Sequence, residues 1–164
     1  MPASRYRFIL LAGSVVLALL GAGARHALAQ QQIVLSNTRG LDFGRFVAGT
    51  GGTITLSPAG LRSRTGGVVL LNSPNAGQAA FNAGRSSNGG ANKAVIISLP
   101  PNGATRLSSG ANSMAVNNFV ATPASLTSIP NGGTSMSVGA TLSVAPNQAP
   151  GNYSGSFSLI VNYQ

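Results

Sequence analysis

Between residues 135 and 144 the chain sets Met136, Val138, Ala140, Leu142 and Val144 on one parity, and Ser135, Ser137, Gly139, Thr141 and Ser143 on the other. Side chains of an extended strand point alternately to opposite faces, so this pattern predicts a strand with one buried and one polar face. Residues 153–163 repeat it, with Tyr153, Gly155, Phe157, Leu159, Val161 and Tyr163 facing one way and mostly small polar residues between them. A short connection at 146–152, carrying Pro, Gly and Asn, joins the two segments, which together read as a hairpin with its apolar faces on one side. Shorter apolar or alternating runs lie at 33–35, 41–48, 53–56, 68–72, 79–82, 94–99 and 114–120. The run at 68–72, "VVLLN", is apolar almost throughout and predicts a more deeply buried strand.

Between these runs sits turn chemistry: Gly-rich pairs at 49–52, 66–67 and 89–90, and Pro-Asn-Gly or Pro-Gly-Asn clusters at 101–103, 130–133 and 150–152. Gly and Asn accept positive φ, and Pro presets φ near −65°. No segment of 30–164 has a convincing 3.6-residue period. Short strands punctuated in this way predict an all-β chain, an antiparallel sandwich or barrel.

Residues 1–29 differ from the rest. Arg5 and Arg7 open the segment, residues 8–24 are apolar and uncharged, and Ala27-Leu28-Ala29 has the form of an A-x-A cleavage site. This is the three-part pattern of a secretory signal peptide, and the apolar run falls short of the ~20 residues of a spanning helix. Export to the periplasm, cell surface or exterior is therefore expected, with the membrane met only through the leader before cleavage. A single domain, residues 30–164, remains. It has no cysteine, so no disulfide can help hold it.

Seven basic residues (Arg39, Arg45, Arg62, Arg64, Arg85, Lys93 and Arg106) face one acid, Asp42, in that domain, a net charge of +6. Such a balance reads either as a footprint for an anionic partner or as solubility for a Ser/Asn/Thr-rich surface. The basic residues are scattered, with Arg62 and Arg64 as the close pair, and no aromatics are interleaved with them for base stacking, which argues against nucleic acid. Asp42, within "LDFGRF", reads as a local Asx hydrogen bond or a partner of Arg45.

The chemistry-bearing residues are few. Residues 30–164 hold no His, Cys or Glu. A nucleophile–base triad, a pair of catalytic carboxylates and a zinc site all need side chains that this segment lacks. No glycine cluster fits a phosphate-binding loop. The reading is of a protein without enzymatic activity, cofactor or metal.

The stretches "LDFGRFVAGTGGTITLSPAG" (41–60), "RTGGVVLL" (64–71), "AAFNAG" (79–84), "MAVNNF" (114–119), "VGATLSV" (138–144) and "QAPGNYSGSFSLIVNYQ" (148–164) resemble the DUF4402 family of small exported bacterial domains. The terminal motif is also similar to that of the spore coat protein U family, which includes Csu-type pilins assembled by the chaperone–usher route. The resemblance implies an immunoglobulin-like, pilin-like sandwich. It also implies β-strand donation, in which a chaperone and then a neighbouring subunit supplies a missing strand beside the C-terminal one. On that basis Tyr153, Phe157, Leu159, Val161 and Tyr163 are the candidate groove strand, and Ile33, Val34 and Leu35 the candidate donor strand. The expected partners are identical or related subunits and a periplasmic chaperone and usher. Two alternatives stay open: Ile33–Leu35 folding back into its own sandwich, and a monomeric module binding an anionic glycan or lipid through Arg62, Arg64 and the 84–93 loop.

Overall fold

The computed structural model describes residues 32–86 and 93–164; the leader assigned to 1–29 and most of the 84–93 loop lie outside them. Among the described residues the chain is all-β and antiparallel. The twelve strands, in order, are β1 (Ile33–Arg39), β2 (Phe46–Val47), β3 (Gly52–Leu56), β4 (Arg62–Gly66), β5 (Val69–Leu70), β6 (Ala79–Arg85), β7 (Val95–Ser98), β8 (Thr105–Ser109), β9 (Asn112–Thr122), β10 (Ser125–Leu126), β11 (Thr134–Val144) and β12 (Ile160–Tyr163).

The sandwich is organised on β11. One edge of this strand pairs with β9, and the other pairs first with β6, from Thr134↔Ala83 to Val138↔Ala79, and then with β3, from Ala140↔Leu56 to Val144↔Gly52. Outward from there β6 carries β1, β3 carries β4, and β9 carries β8, giving a curled seven-stranded sheet. A second sheet, in the order β10-β7-β12, packs across from it, and a ribbon of β2 and β5 closes one end. Met136, Val138, Ala140, Leu142 and Val144 of β11 are all buried, as their alternation requires.

Gly139 stands where the partner of β11 changes from β6 to β3. A Cβ there would collide with the carbonyl oxygen of Leu56 and crowd the Ser57–Pro58 backbone, so only glycine lets β3 begin where β6 ends. On the opposite edge, β9 changes parity within its length. Met114 and Val116 point inward, then Phe119 and Ala121 do, and between them Asn118 adopts φ 50° at a register shift. An inserted residue of this kind is a β-bulge, and Asn tolerates the left-handed conformation it needs. The Asn118 N–H is held by Asn102 Oδ1 at 2.7 Å.

Four expectations are corrected. The segments 135–144 and 153–163 are not a hairpin: both edges of β11 are already filled, and residues 145–152 carry the chain to the second sheet, where β12 pairs with β7. The predicted terminal strand is regular only over Ile160–Tyr163, with one isolated bridge at Ser154↔Ser108. Continuing the β7–β12 register past Ile160↔Ser98 would set Ser158 and Phe157 opposite Pro100 and Pro101, which have no N–H to offer. The run at 68–72 is not a deeply buried strand: Val68 is fully enclosed, but Val69 is half exposed and only Val69–Leu70 pairs, with β2. The run at 41–48 shrinks likewise to β2 and a bridge between Asp42 and Gly77.

Gly139→Ala should lower stability to urea by roughly 2 kcal/mol, the scale of overpacking a filled core, with an unchanged m-value. Gly103→Ala, beside which a Cβ would meet nothing within 4 Å although φ is 85°, should lose less. Equal losses in the two variants would show that the fork at β11 places no special demand on residue 139.

Candidate functional site: an apolar seam between two sheet edges

The terminal segment runs along the whole interior. Tyr153 packs on the cluster of Phe43, Ile54, Met114 and Leu142, and its hydroxyl donates to Ala149 O at 2.7 Å and accepts from Gln148 Nε2 at 2.8 Å. Phe157 lies 5.0 Å from Phe119 and 6.1 Å edge-on from Phe81, ring centroid to centroid, in a second cluster around Val138. Leu159 spans this cluster and the next, where Val161 and Tyr163 meet Ala83, Val95, Ile129 and Met136. One strand-like segment thus contributes to all three parts of the core through Tyr153, Phe157, Leu159, Val161 and Tyr163.

Ile33 and Leu35 enter the same cluster as Val161 and Tyr163. They do so from their own chain: β1 is hydrogen-bonded along β6, with Ile33↔Arg85, Val34↔Gly84 and Leu35↔Ala83. This is the folded-back arrangement that the sequence left open. Val34 points outward and is 52% exposed. Of the eight residues marked for the strand and the groove, five therefore converge (Ile33, Leu35, Leu159, Val161 and Tyr163), while Tyr153 and Phe157 lie further along and Val34 lies outside.

What sets this region apart is its backbone. β1 is bonded only to β6, and β12 only to β7, so each has an edge with no strand beside it among the described residues. Yet Cα atoms of β1 and β12 come within 8 Å of one another. Upstream, residues 155–159 have left β7 at the proline pair and join no ladder. A cleft of about 320 Å3 opens there, lined by Leu99, Pro100, Pro101, Phe157, Ser158 and Ile160. The proline pair was the sequence signal for this break, and the alternation across 153–163 masked it. The Tyr163 hydroxyl is buried at the seam and has no hydrogen-bond partner among the described residues.

The two arginines marked as an anionic contact sit on β4, paired with Leu56 and Ile54. Arg62 donates to the carbonyls of Phe43 at 3.0 Å and Leu71 at 2.6 Å, tying two loops to the sheet edge. Arg64 is exposed and donates to Gly66 O at 3.2 Å. Asp42 forms the expected Asx turn, accepting from the Gly44 N–H at 2.7 Å. No group of three or more His, Cys, Asp or Glu side chains gathers among the described residues.

Fold and site together define an all-antiparallel β-sandwich whose distinctive feature is an apolar seam flanked by two open strand edges. The chain belongs to the DUF4402 family, a domain of unknown function, whose model matches residues 33–163, from the first residue of β1 to the last of β12. No curated protein and no solved structure matches the chain at a significant level.

Tyr163→Phe removes a buried hydroxyl that no described residue satisfies, so the isolated protein should keep its stability or gain about 1 kcal/mol in urea. Phe157→Ala should cost up to about 3 kcal/mol, the low end for core aromatics, because the ring is partly buried and lines the cleft. A clear loss on Tyr163→Phe would mean that the hydroxyl is bonded in solution. Arg62→Gln leaves the Phe43 and Leu71 carbonyls short of a charged donor and should lower stability by about 1.5–3 kcal/mol, whereas Arg64→Gln should be within about 0.5 kcal/mol of the parent.

Proposed function

We propose that this protein is an exported, non-enzymatic structural subunit, pilin-like, which assembles with identical or related subunits into a surface filament or coat by β-strand donation. The observation that carries this reading is that β1 is bonded to β6 alone, so it can leave without breaking any other ladder, uncovering the β6 edge and the apolar cluster that Ile33 and Leu35 fill. Edge strands are usually blunted with charges, prolines or bulges. β12 has no charged residue, and the one charge of β1, Arg39, is turned onto the carbonyls of Asn75 and Ala76. The irregularity of β1 between Asn37 and Arg39 lies at the far end from Ile33 and Leu35.

Magnitudes decide the form that donation takes. A strand inserted between β1 and β12 would need them about 9.6 Å apart, twice the spacing of paired strands. At their nearest they come within 8 Å, too close for a full intervening strand at that point. The donated strand is therefore β1 itself, leaving its own β6 for the β6 of a neighbour, with the same ladder and the same pockets at the destination. The barrier includes withdrawing Ile33 and Leu35, at most about 1.5–3 kcal/mol each and less for side chains only partly enclosed. A periplasmic chaperone would hold the vacated edge before assembly. The leader pattern of residues 1–29 and the lack of His, Cys and Glu after it agree with a structural role outside the cytoplasm.

The processed protein should form concentration-dependent oligomers on size-exclusion chromatography. A variant lacking residues 30–37 should remain a single subunit, and a synthetic peptide spanning 31–40 should raise its melting temperature. A strict monomer at every concentration, together with a truncated variant indifferent to the peptide, would discard this reading.

A further inference from the structure

The ribbon of β2 and β5 is apolar on both faces. Phe46 and Leu70, paired with each other, pack on the core. Val47 and Val69, the next pair, face outward and are 52% and 50% exposed. One step further the Leu71 N–H donates to Arg45 O at 3.0 Å, which sets Leu71 and Arg45 on the same outward face. Three exposed aliphatic side chains, Val47, Val69 and Leu71, thus share the outward face of the ribbon. Exposed Arg45 and Arg64 accompany them, and Asp42, engaged in its turn with Gly44, is the nearby acid.

We propose that this face docks on an anionic lipid bilayer, with Val47, Val69 and Leu71 entering the boundary between headgroups and acyl chains and Arg45 and Arg64 meeting the lipid phosphates. Apolar side chains rimmed by cations are the combination that holds a peripheral protein at such a surface. Charge selects the occupant. A second copy stacked on this face would set Arg45 and Arg64 against themselves. An acidic polysaccharide would satisfy the arginines and leave three aliphatic side chains in water. The docking face is separate from the seam and does not depend on strand donation.

The test is co-sedimentation of the processed protein with large vesicles of phosphatidylcholine alone and of phosphatidylcholine with phosphatidylglycerol, at low and physiological salt. Binding is expected to the mixed vesicles and to weaken with salt. Val47→Thr/Val69→Thr keeps the β-branched shape while removing apolar surface, and should reduce binding at least tenfold without altering the melting temperature. Arg45→Gln and Arg64→Gln should each reduce it about fivefold, the effect of the ~1 kcal/mol gained per basic residue at an anionic surface. Equal binding to both vesicle types, no binding to either, or full binding by the double threonine variant would overturn the proposal. So would retention on an acidic polysaccharide column that the threonine variant shares undiminished.

Discussion

A β-strand has two hydrogen-bonding edges, and β11 has both of them occupied along most of its length. β9 runs along one, while β6 and β3 divide the other at Gly139. The segment after β11 therefore cannot fold back on it, although its alternation would suit a hairpin. It crosses to the second sheet and closes the sandwich from the other side, so that Tyr153, Phe157, Leu159, Val161 and Tyr163 meet β11 face to face through the core instead of edge to edge. The open edges of β1 and β12 are the remainder left by this arrangement: two sheets face each other, and at the seam neither is closed.

The scarcity of acids shapes the rest of the surface. Arginine has five donors and no acceptor, and it normally finds carboxylates. Here the chain holds one side-chain carboxylate, that of Asp42, and it is engaged with the Gly44 N–H. The guanidinium groups turn to the backbone instead: Arg39 to Asn75 and Ala76, Arg62 to Phe43 and Leu71. A charged donor on a carbonyl contributes about 1.5–3 kcal/mol, comparable to a well-made hydrogen bond to a carboxylate. These contacts hold irregular loops where no ladder can reach, and they leave the positive charge of the domain uncancelled.

The parts of the fold legible in the sequence are those with two layers around them. β11 and β6 each have one parity buried by the opposite sheet, and β9 one parity on either side of its bulge, so their apolar residues alternate over stretches that can be read directly. β4 ("RSRTG") and β8 ("TRLSS") were not visible, because an edge strand over the rim of the core needs few apolar residues. The seam was partly legible: the inward set Leu159, Val161 and Tyr163 follows from alternation, and Ile33 and Leu35 from theirs. Their meeting in one chain did not follow, since periodicity gives a face and not a partner. The run at 68–72 misled for a different reason. A ribbon with an apolar outer face has the same pattern as a strand buried on both sides, and only the absence of a covering layer distinguishes them.

Distance along β11 relates the two unusual surfaces. Met136 belongs to the cluster at the seam and Val144 to the cluster beneath the ribbon. Eight residues of strand separate them, about 27 Å at the usual rise, so the surfaces lie at opposite ends of one rigid element. Pairing at the seam uses backbone groups and needs no charge, whereas the ribbon presents side chains and carries cations. Because β11 is buried along its length and bonded on both edges, a change in strand pairing at one end has no soft segment through which to disturb the other. Subunits joined through their seams would keep every ribbon free, and a row of such ribbons would bind a surface with an avidity set by their number.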